Sequence, residues 1–105
     1  MTAKKRGDIG EVIAIKYLQK NGYTICDTNF KFGRFWEVDI ICQKDGQTIF
    51  IEVKYRSSES FGHPVEAVSR TKLHKCLKTV QYYCKKHSVS FEHISFDVIA
   101  IMKGS

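Results

Sequence analysis

"FWEVDIICQKDGQTIFIEVKYR", residues 35–56, holds two β-rich runs hinged on Asp45-Gly46. Asp-Gly suits a two-residue hairpin turn, whose central residues must both take positive φ. Given that turn, Lys44 faces Gln47 and the register runs back pair by pair: Cys42 faces Ile49, Ile40 faces Ile51, and Val38 faces Val53. One face of the hairpin is then apolar, and a slip by a single residue would mix it with the polar set. The same register sets Asp39 against Glu52 and Glu37 against Lys54. Facing Cβ atoms lie about 4.5–5.5 Å apart, so these four ionisable groups form one compact patch.

Outward from the hairpin, "GDIGEVIAIKYLQKNGY" predicts a helix over 9–20, with Asp8 as N-cap and Asn21-Gly22 as its stop. "YTICDTNFKF" predicts a strand, and "SSESFGHP" is a loop of turn formers. Pro64 suits the first turn of a second helix, with its apolar stripe at Leu73, Cys76, Leu77, Val80 and Cys84. "ISFDVIAIM" predicts a last strand, in which Asp97 is expected to be buried and hydrogen-bonded. The order is αβββαβ, an α/β pattern that favours a mixed four-stranded sheet flanked by helices. With 105 residues and 43% hydrophobic content the chain fits one domain over 1–105, and residues 1–6 ("MTAKKR") read as a flexible basic arm.

Lys and Arg total 17 against 11 Asp and Glu, a net charge of +6 that leans towards a polyanionic partner. No stretch approaches the roughly 20 apolar residues a membrane-spanning helix needs. The four cysteines form no C-x-x-C pair and follow no secretory leader, so the expectation is reduced thiols in a cytoplasmic protein. Cys76, Cys84 and His87 cannot wrap a tetrahedral zinc ion from one helix without a fourth ligand, and the thiols read better as small core residues.

Two carboxylates held as close as Asp39 and Glu52 repel each other unless a proton is shared or a cation lies between them. Oxygen ligands suit a hard ion such as Mg²⁺, which takes one or two carboxylates, keeps several waters and leaves room for phosphate oxygens. Lys54, two residues beyond Glu52, sets a positive charge beside a phosphate oxygen or a water. The ordinary alternative is a solvated strand face carrying a Glu37–Lys54 ion pair. A third acid, Glu11, heads the helical stripe Glu11, Ala14, Ile15, Leu18 that should pack on the sheet. Gly7 and Gly10 beside it allow close backbone approach to the sheet or to a ligand, or else are loose residues of the arm.

Glu11, Asp39 and the run Glu52-Val53-Lys54 resemble the acid...ExK core of the restriction-endonuclease-like, or PD-(D/E)xK, nucleases, with the added helix glutamate seen in Holliday-junction resolvases. Along almost its whole length the chain is more similar still to the YraN-like family of small bacterial predicted nucleases. "GDIGEVIAIKYLQKNGYTI", Asn29, "EVDII", "IFIEVKYR", "FGHPVEAVSRTKL" and "FDVIAI" carry that resemblance in order and spacing. It departs at Trp36, where the family usually has Gly, and at Tyr55, where a small residue is usual.

The resemblance implies a restriction-endonuclease-like fold and a Mg²⁺- or Mn²⁺-dependent endonuclease acting on DNA, branched or single-stranded. It also implies that Asp39, Glu52 and the main-chain carbonyl of Val53 ligate the metal, with Glu11 as a direct or water-mediated ligand. Lys54 would orient the attacking water or stabilise the phosphate. Glu37, by register, would pair with Lys54 and tune it.

Arg56, Arg70, Lys72, Lys75 and Lys78 are candidates for phosphate contacts, although a solvated helix face is the usual fate of any single lysine. Phe35, Trp36 and Tyr55 suit either base stacking or core packing, and His63 either phosphate approach or ordinary exposure. A catalytically silent nucleic-acid-binding module and a protein-interaction adaptor are the competing functional classes. Cutting both strands of a junction would call for a two-fold homodimer.

Overall fold

The structure, a computed structural model, describes residues 5–56 and 70–102. Asp45 and Gly46 take φ of 52° and 79°, the pair of positive values the hairpin turn requires. The ladder then runs from Lys44↔Gln47 to Ile40↔Ile51 in the register read from the sequence. It joins β2 (Val38–Lys44) to β3 (Gln47–Arg56), the two central strands of a four-stranded sheet. β1 (Thr24–Phe30) flanks β2 antiparallel, and β4 (Ile94–Met102) flanks β3 in parallel. A parallel neighbour needs a crossover, supplied here by the segment that contains α2 (Arg70–His87). The result is the α/β architecture expected, a mixed sheet with helices in the order αβββαβ, consistent with a restriction-endonuclease-like fold.

α1 (Lys5–Lys20) lays Ala14 and Leu18 on one face of the sheet, against Ile40, Cys42, Ile49 and Ile51. α2 lays Val80, Tyr83 and Cys84 on the other, against Val38, Ile41, Phe50 and Phe30. Both faces of the hairpin are therefore apolar near the turn, where alternation alone had reserved one for water. The apolar face expected from the register loses Val38, which joins the α2-side core while Ile40 joins the α1 side. The alternation breaks between them, and β2 splays from β3 at that point.

α1 begins at Lys5, so Lys5 and Arg6 are helical and Asp8 lies inside the helix instead of capping it. The helix stops as foreseen. Gly22 takes φ 88°, its N–H reaches the Gln19 carbonyl, and Tyr23 N–H reaches that of Leu18, a Schellman closure. Asp97 is exposed, on β4, which is an edge strand among the described residues. Residues 1–4, the loop Ser57–Pro64 with His63, the expected start of the second helix through residue 69, and Lys103–Ser105 lie outside the described residues. Among the described residues no helix is long and apolar enough to cross a membrane.

Candidate active site

Where β2 leaves the ladder, its acid takes over a main-chain role. Alternation from the hairpin turn points the N–H and C=O of Gln47, Ile49, Ile51 and Val53 towards β2. The ladder ends at Ile40↔Ile51, and Val53 N–H donates instead to Asp39 Oδ2 at 2.7 Å. That bond fixes the Asp39 carboxylate between the separating strands. Alternation also aims the Val53 carbonyl to the same side, as a metal-ligand role for it requires.

Glu52 and Lys54 follow the parity of Phe50 and so belong to the α2 side of the sheet. Lys54 Nζ is 3.1 Å from Glu52 Oε2, and both side chains are partly buried. Glu11 arrives from the opposite layer on α1, where its Oε2 accepts a 2.8 Å bond from Asn29 Nδ2. The acids thus do not share one strand face, as the register alone suggested. They meet at the open end of the sheet, and Asp39 and Glu52 are not a ladder pair. Glu37 precedes β2 and faces no residue of β3 in the ladder.

Electrostatics shows that the acids nonetheless act on one another. The Asp39 carboxyl is pushed above the usual aspartate range, first by burial and then by the nearby carboxylates of Glu11, Glu52 and Glu37. The Val53 N–H bond opposes this by favouring the charged form. Each of three carboxylates is held through one oxygen, Asp39 by a main-chain N–H, Glu52 by Lys54 and Glu11 by Asn29. Among the described residues no three His, Cys, Asp or Glu side chains close on a common point as a ready-made cage. The donor chemistry fits a hard cation all the same, since Mg²⁺ needs only one or two carboxylates and completes its shell with water.

Two residues position Glu11, and the sequence assigned a role to only one of them, Gly10. Asn29 takes φ 52°, a left-handed value that Asn tolerates better than other side-chain-bearing residues, and from there it grips Glu11. The resemblance included Asn29 without a role. Gly10 is buried, and a Cβ there would sit 3.1 Å from Tyr55 Cβ and 3.5 Å from Val53 Cγ1. Its missing side chain lets α1 approach β3 closely enough to present Glu11, which selects close approach to the sheet from the three readings of that glycine.

Around the acids, Arg70, Lys75 and Lys78 are exposed on α2 and Lys72 is half-buried. Cys76 registers both sides of this border. Burial raises its thiol pKa, Lys72 lowers it and Glu52 raises it, so Lys72 and Glu52 both lie near the first turns of α2. Arg56 ends β3, two residues beyond Lys54. Trp36 packs on the α2-side core, and its carbonyl accepts a 2.7 Å bond from buried Thr79. Tyr55 lies under Gly10. Of the three aromatics considered for stacking, Phe35 is the exposed one, and it stacks on Phe32. Cys26, Cys42, Cys76 and Cys84 are free, and burial raises all four thiols, which disfavours nucleophilic thiolate chemistry.

Comparison with known proteins matches residues 10–101 to the model of the uncharacterised protein family UPF0102. A UPF0102 protein of Persephonella marina is 35% identical over 100 residues, spanning 95% of this chain and 85% of the relative. One of Syntrophomonas wolfei is 43% identical, spanning 89% and 80%, and one of Clostridioides difficile is 39% identical, spanning 96% and 88%. Matches of this extent include both helices, the hairpin and the last strand, and on them the chain belongs to the uncharacterised family UPF0102, the YraN-like proteins.

Proposed function

We propose that this protein is a metal-dependent nuclease of the restriction-endonuclease-like superfamily that hydrolyses DNA phosphodiester bonds. The observation that carries the reading is the convergence on Asp39. Three carboxylates from different parts of the chain bear on a half-buried acid that is itself anchored to the strand holding Glu52 and Lys54. A purely structural surface gains nothing from that mutual repulsion, whereas a cation site uses it.

Asp39, Glu52, the Val53 carbonyl and Glu11 would hold Mg²⁺ or Mn²⁺. When bound, such an ion supplies Lewis-acid chemistry, offsetting charge that builds on the phosphoryl oxygens and easing water deprotonation. The chain's own residues do the rest. Lys54, tethered by Glu52, donates hydrogen bonds to a non-bridging phosphate oxygen or to the attacking water. Asn29 and Gly10 hold Glu11 at the site. Arg70, Lys72 and Lys75 line the approach with positive charge for the DNA backbone.

The exposed cations Arg70, Lys75 and Lys78 on α2 also suit a second reading, a module that binds DNA without cutting it. One experiment separates the two. Linear, flapped, single-stranded and four-way DNA are incubated with and without Mg²⁺ or Mn²⁺, using wild type, Glu52→Gln and Lys54→Ala. Metal-dependent cleavage that falls about 100-fold or more in either variant, with circular dichroism unchanged, supports the nuclease. Salt-sensitive binding without product at any metal concentration supports the silent module.

A further inference from the structure

The two edges of the sheet differ in a way that identifies an interaction surface. β1 is guarded as free edges usually are: a bulge between Ile25 and Asp27, a left-handed residue at Asn29, and exposed Thr24 and Thr28. β4 has no such device. It keeps an unbroken register with β3 from Thr48↔Ile94 to Arg56↔Met102, with no proline and a single charge, Asp97. Alternation assigns the main-chain groups of Ser95, Asp97, Ile99 and Ile101 to β3. Those of Phe96, Val98, Ala100 and Met102 therefore point outwards, where no described residue pairs with them.

Side chains mark the same border. Of the eleven exposed large hydrophobics among the described residues, Phe96, Val98 and Met102 belong to β4, and Ile13 and Tyr17 stand on α1 beside it. Val98 is 62% exposed and Tyr17 59%. Ile13, Ala14 and Tyr17 form a shallow apolar groove with residues 99–101 of β4.

We propose that β4 is the interface of a two-fold homodimer, in which the strand pairs antiparallel with its own copy and the two sheets join into one of eight strands. Charge decides the occupant. The chain carries a net +6, yet Ile94–Met102 contains no Lys or Arg. A nucleic acid or acidic partner finds no cation on that strand, while two copies of a basic chain meet there without opposing their positive charges. Antiparallel pairing of a strand edge with its own copy is also self-complementary, so a two-fold axis satisfies both copies equally. A register centred on Asp97 would set two carboxylates face to face, whereas one centred on Val98 or Ile99 gives Asp97 an apolar neighbour. The assembly needs no assumption about catalysis. It places two carboxylate sites on one continuous sheet, related by the axis.

Sedimentation velocity on nucleic-acid-free protein at tens of micromolar tests the assignment, with wild type beside Val98→Lys and Ala100→Pro. The lysine puts like charges across the axis. The proline removes an outward N–H without taking a bond from the β3–β4 ladder. Wild type should sediment at twice the chain mass in low and in high salt, and both variants should dissociate at least roughly tenfold more readily with the far-ultraviolet spectrum retained. A wild-type monomer, a dimer that high salt abolishes, or folded variants that still dimerise would overturn the proposal. If Ala100→Pro unfolds, Val98→Lys decides alone, because its site is mostly in water.

Discussion

Asp39 ionises against burial and against three neighbouring carboxylates, with one main-chain hydrogen bond favouring its charge. Its folded-state pKa lies above that of the unfolded chain. The linked stability is therefore complete below the ordinary aspartate range and is lost as pH rises through the folded value. Asp39→Asn keeps an acceptor for Val53 N–H and removes the charge. In chelator at neutral pH the variant should be more stable than wild type by about 0.5–1 kcal/mol, with the gap closing as pH falls below the aspartate range. Divalent ions should raise the melting temperature of wild type but not of Asp39→Asn. Thermal melts across pH, with and without Mn²⁺, check both; a variant that melts below wild type at neutral pH would contradict the burdened-acid picture. Asn29 allows a second separation of roles. Asn29→Gly preserves the positive φ while deleting the bond to Glu11, so stability should change by no more than about 1 kcal/mol while metal affinity, read by calorimetry, weakens. Equal affinity in the two proteins would remove Glu11 from the ligand set. At this scale the sequence made Glu11, Asp39, Glu52 and Lys54 legible because ionisable residues in strands and on a packing face violate the apolar pattern. Asn29 breaks no such pattern, and its role depends on a backbone angle that spacing does not express.

Elements were legible where a local rule suffices. Asp45-Gly46 dictates both the turn and the register beside it, and Asn21-Gly22 dictates the end of α1. The same reasoning failed beyond Ile40, because strict alternation assumes that the two strands stay together. Val38 turns to the α2-side core and Asp39 replaces a ladder partner, and neither follows from a period of two. The contact between α1 and β3 is likewise tertiary. Gly10→Ala would gain up to about 1 kcal/mol of helix propensity but place its methyl 3.1 Å from Tyr55 Cβ. Gly10→Leu leaves no such balance. Overpacking of about 1–3 kcal/mol should exceed the propensity gain, lower the urea midpoint and carry Glu11 away from Asp39. A fully stable Gly10→Leu protein would show that the helix can ride higher on the sheet, and its metal affinity would then report how much height Glu11 tolerates.

At the level of the whole molecule, the three layers follow from the element order, since helices on both sides of a sheet need strands that are apolar on both faces. Edge status does not follow from that order. Asp97 reads as buried in an apolar strand until the topology makes β4 an edge strand among the described residues. Among the described residues the two cores lie on opposite faces of the sheet, and each contains a group that resists ionisation. Burial raises Cys42, on the α1 side, from 9.0 to about 11, with smaller contributions from Cys26 and Asp97. It raises Tyr83, on the α2 side, from 10.0 to about 12, with lesser contributions from Cys26, Asp27 and Cys84. Both groups are acids whose folded pKa exceeds the unfolded one. Their contribution is whole below the unfolded values and declines as pH climbs through the folded ones. Under reducing conditions the unfolding free energy should therefore decline above pH 9 and fall fastest between the values of 9.0 and 12 that bracket the two groups. Each ionisation adds at most about 1.4 kcal/mol per pH unit. Urea titrations at stepped pH on wild type, Cys42→Ala and Tyr83→Phe check this: each substitution should shallow the alkaline slope above its own group's ordinary value, and the double variant should show the sum, because the two groups lie in separate layers. Slopes that stay unchanged in both single variants would mean that neither core stays protonated at the expense of its unfolded state, and the burial argument for these two groups would fall.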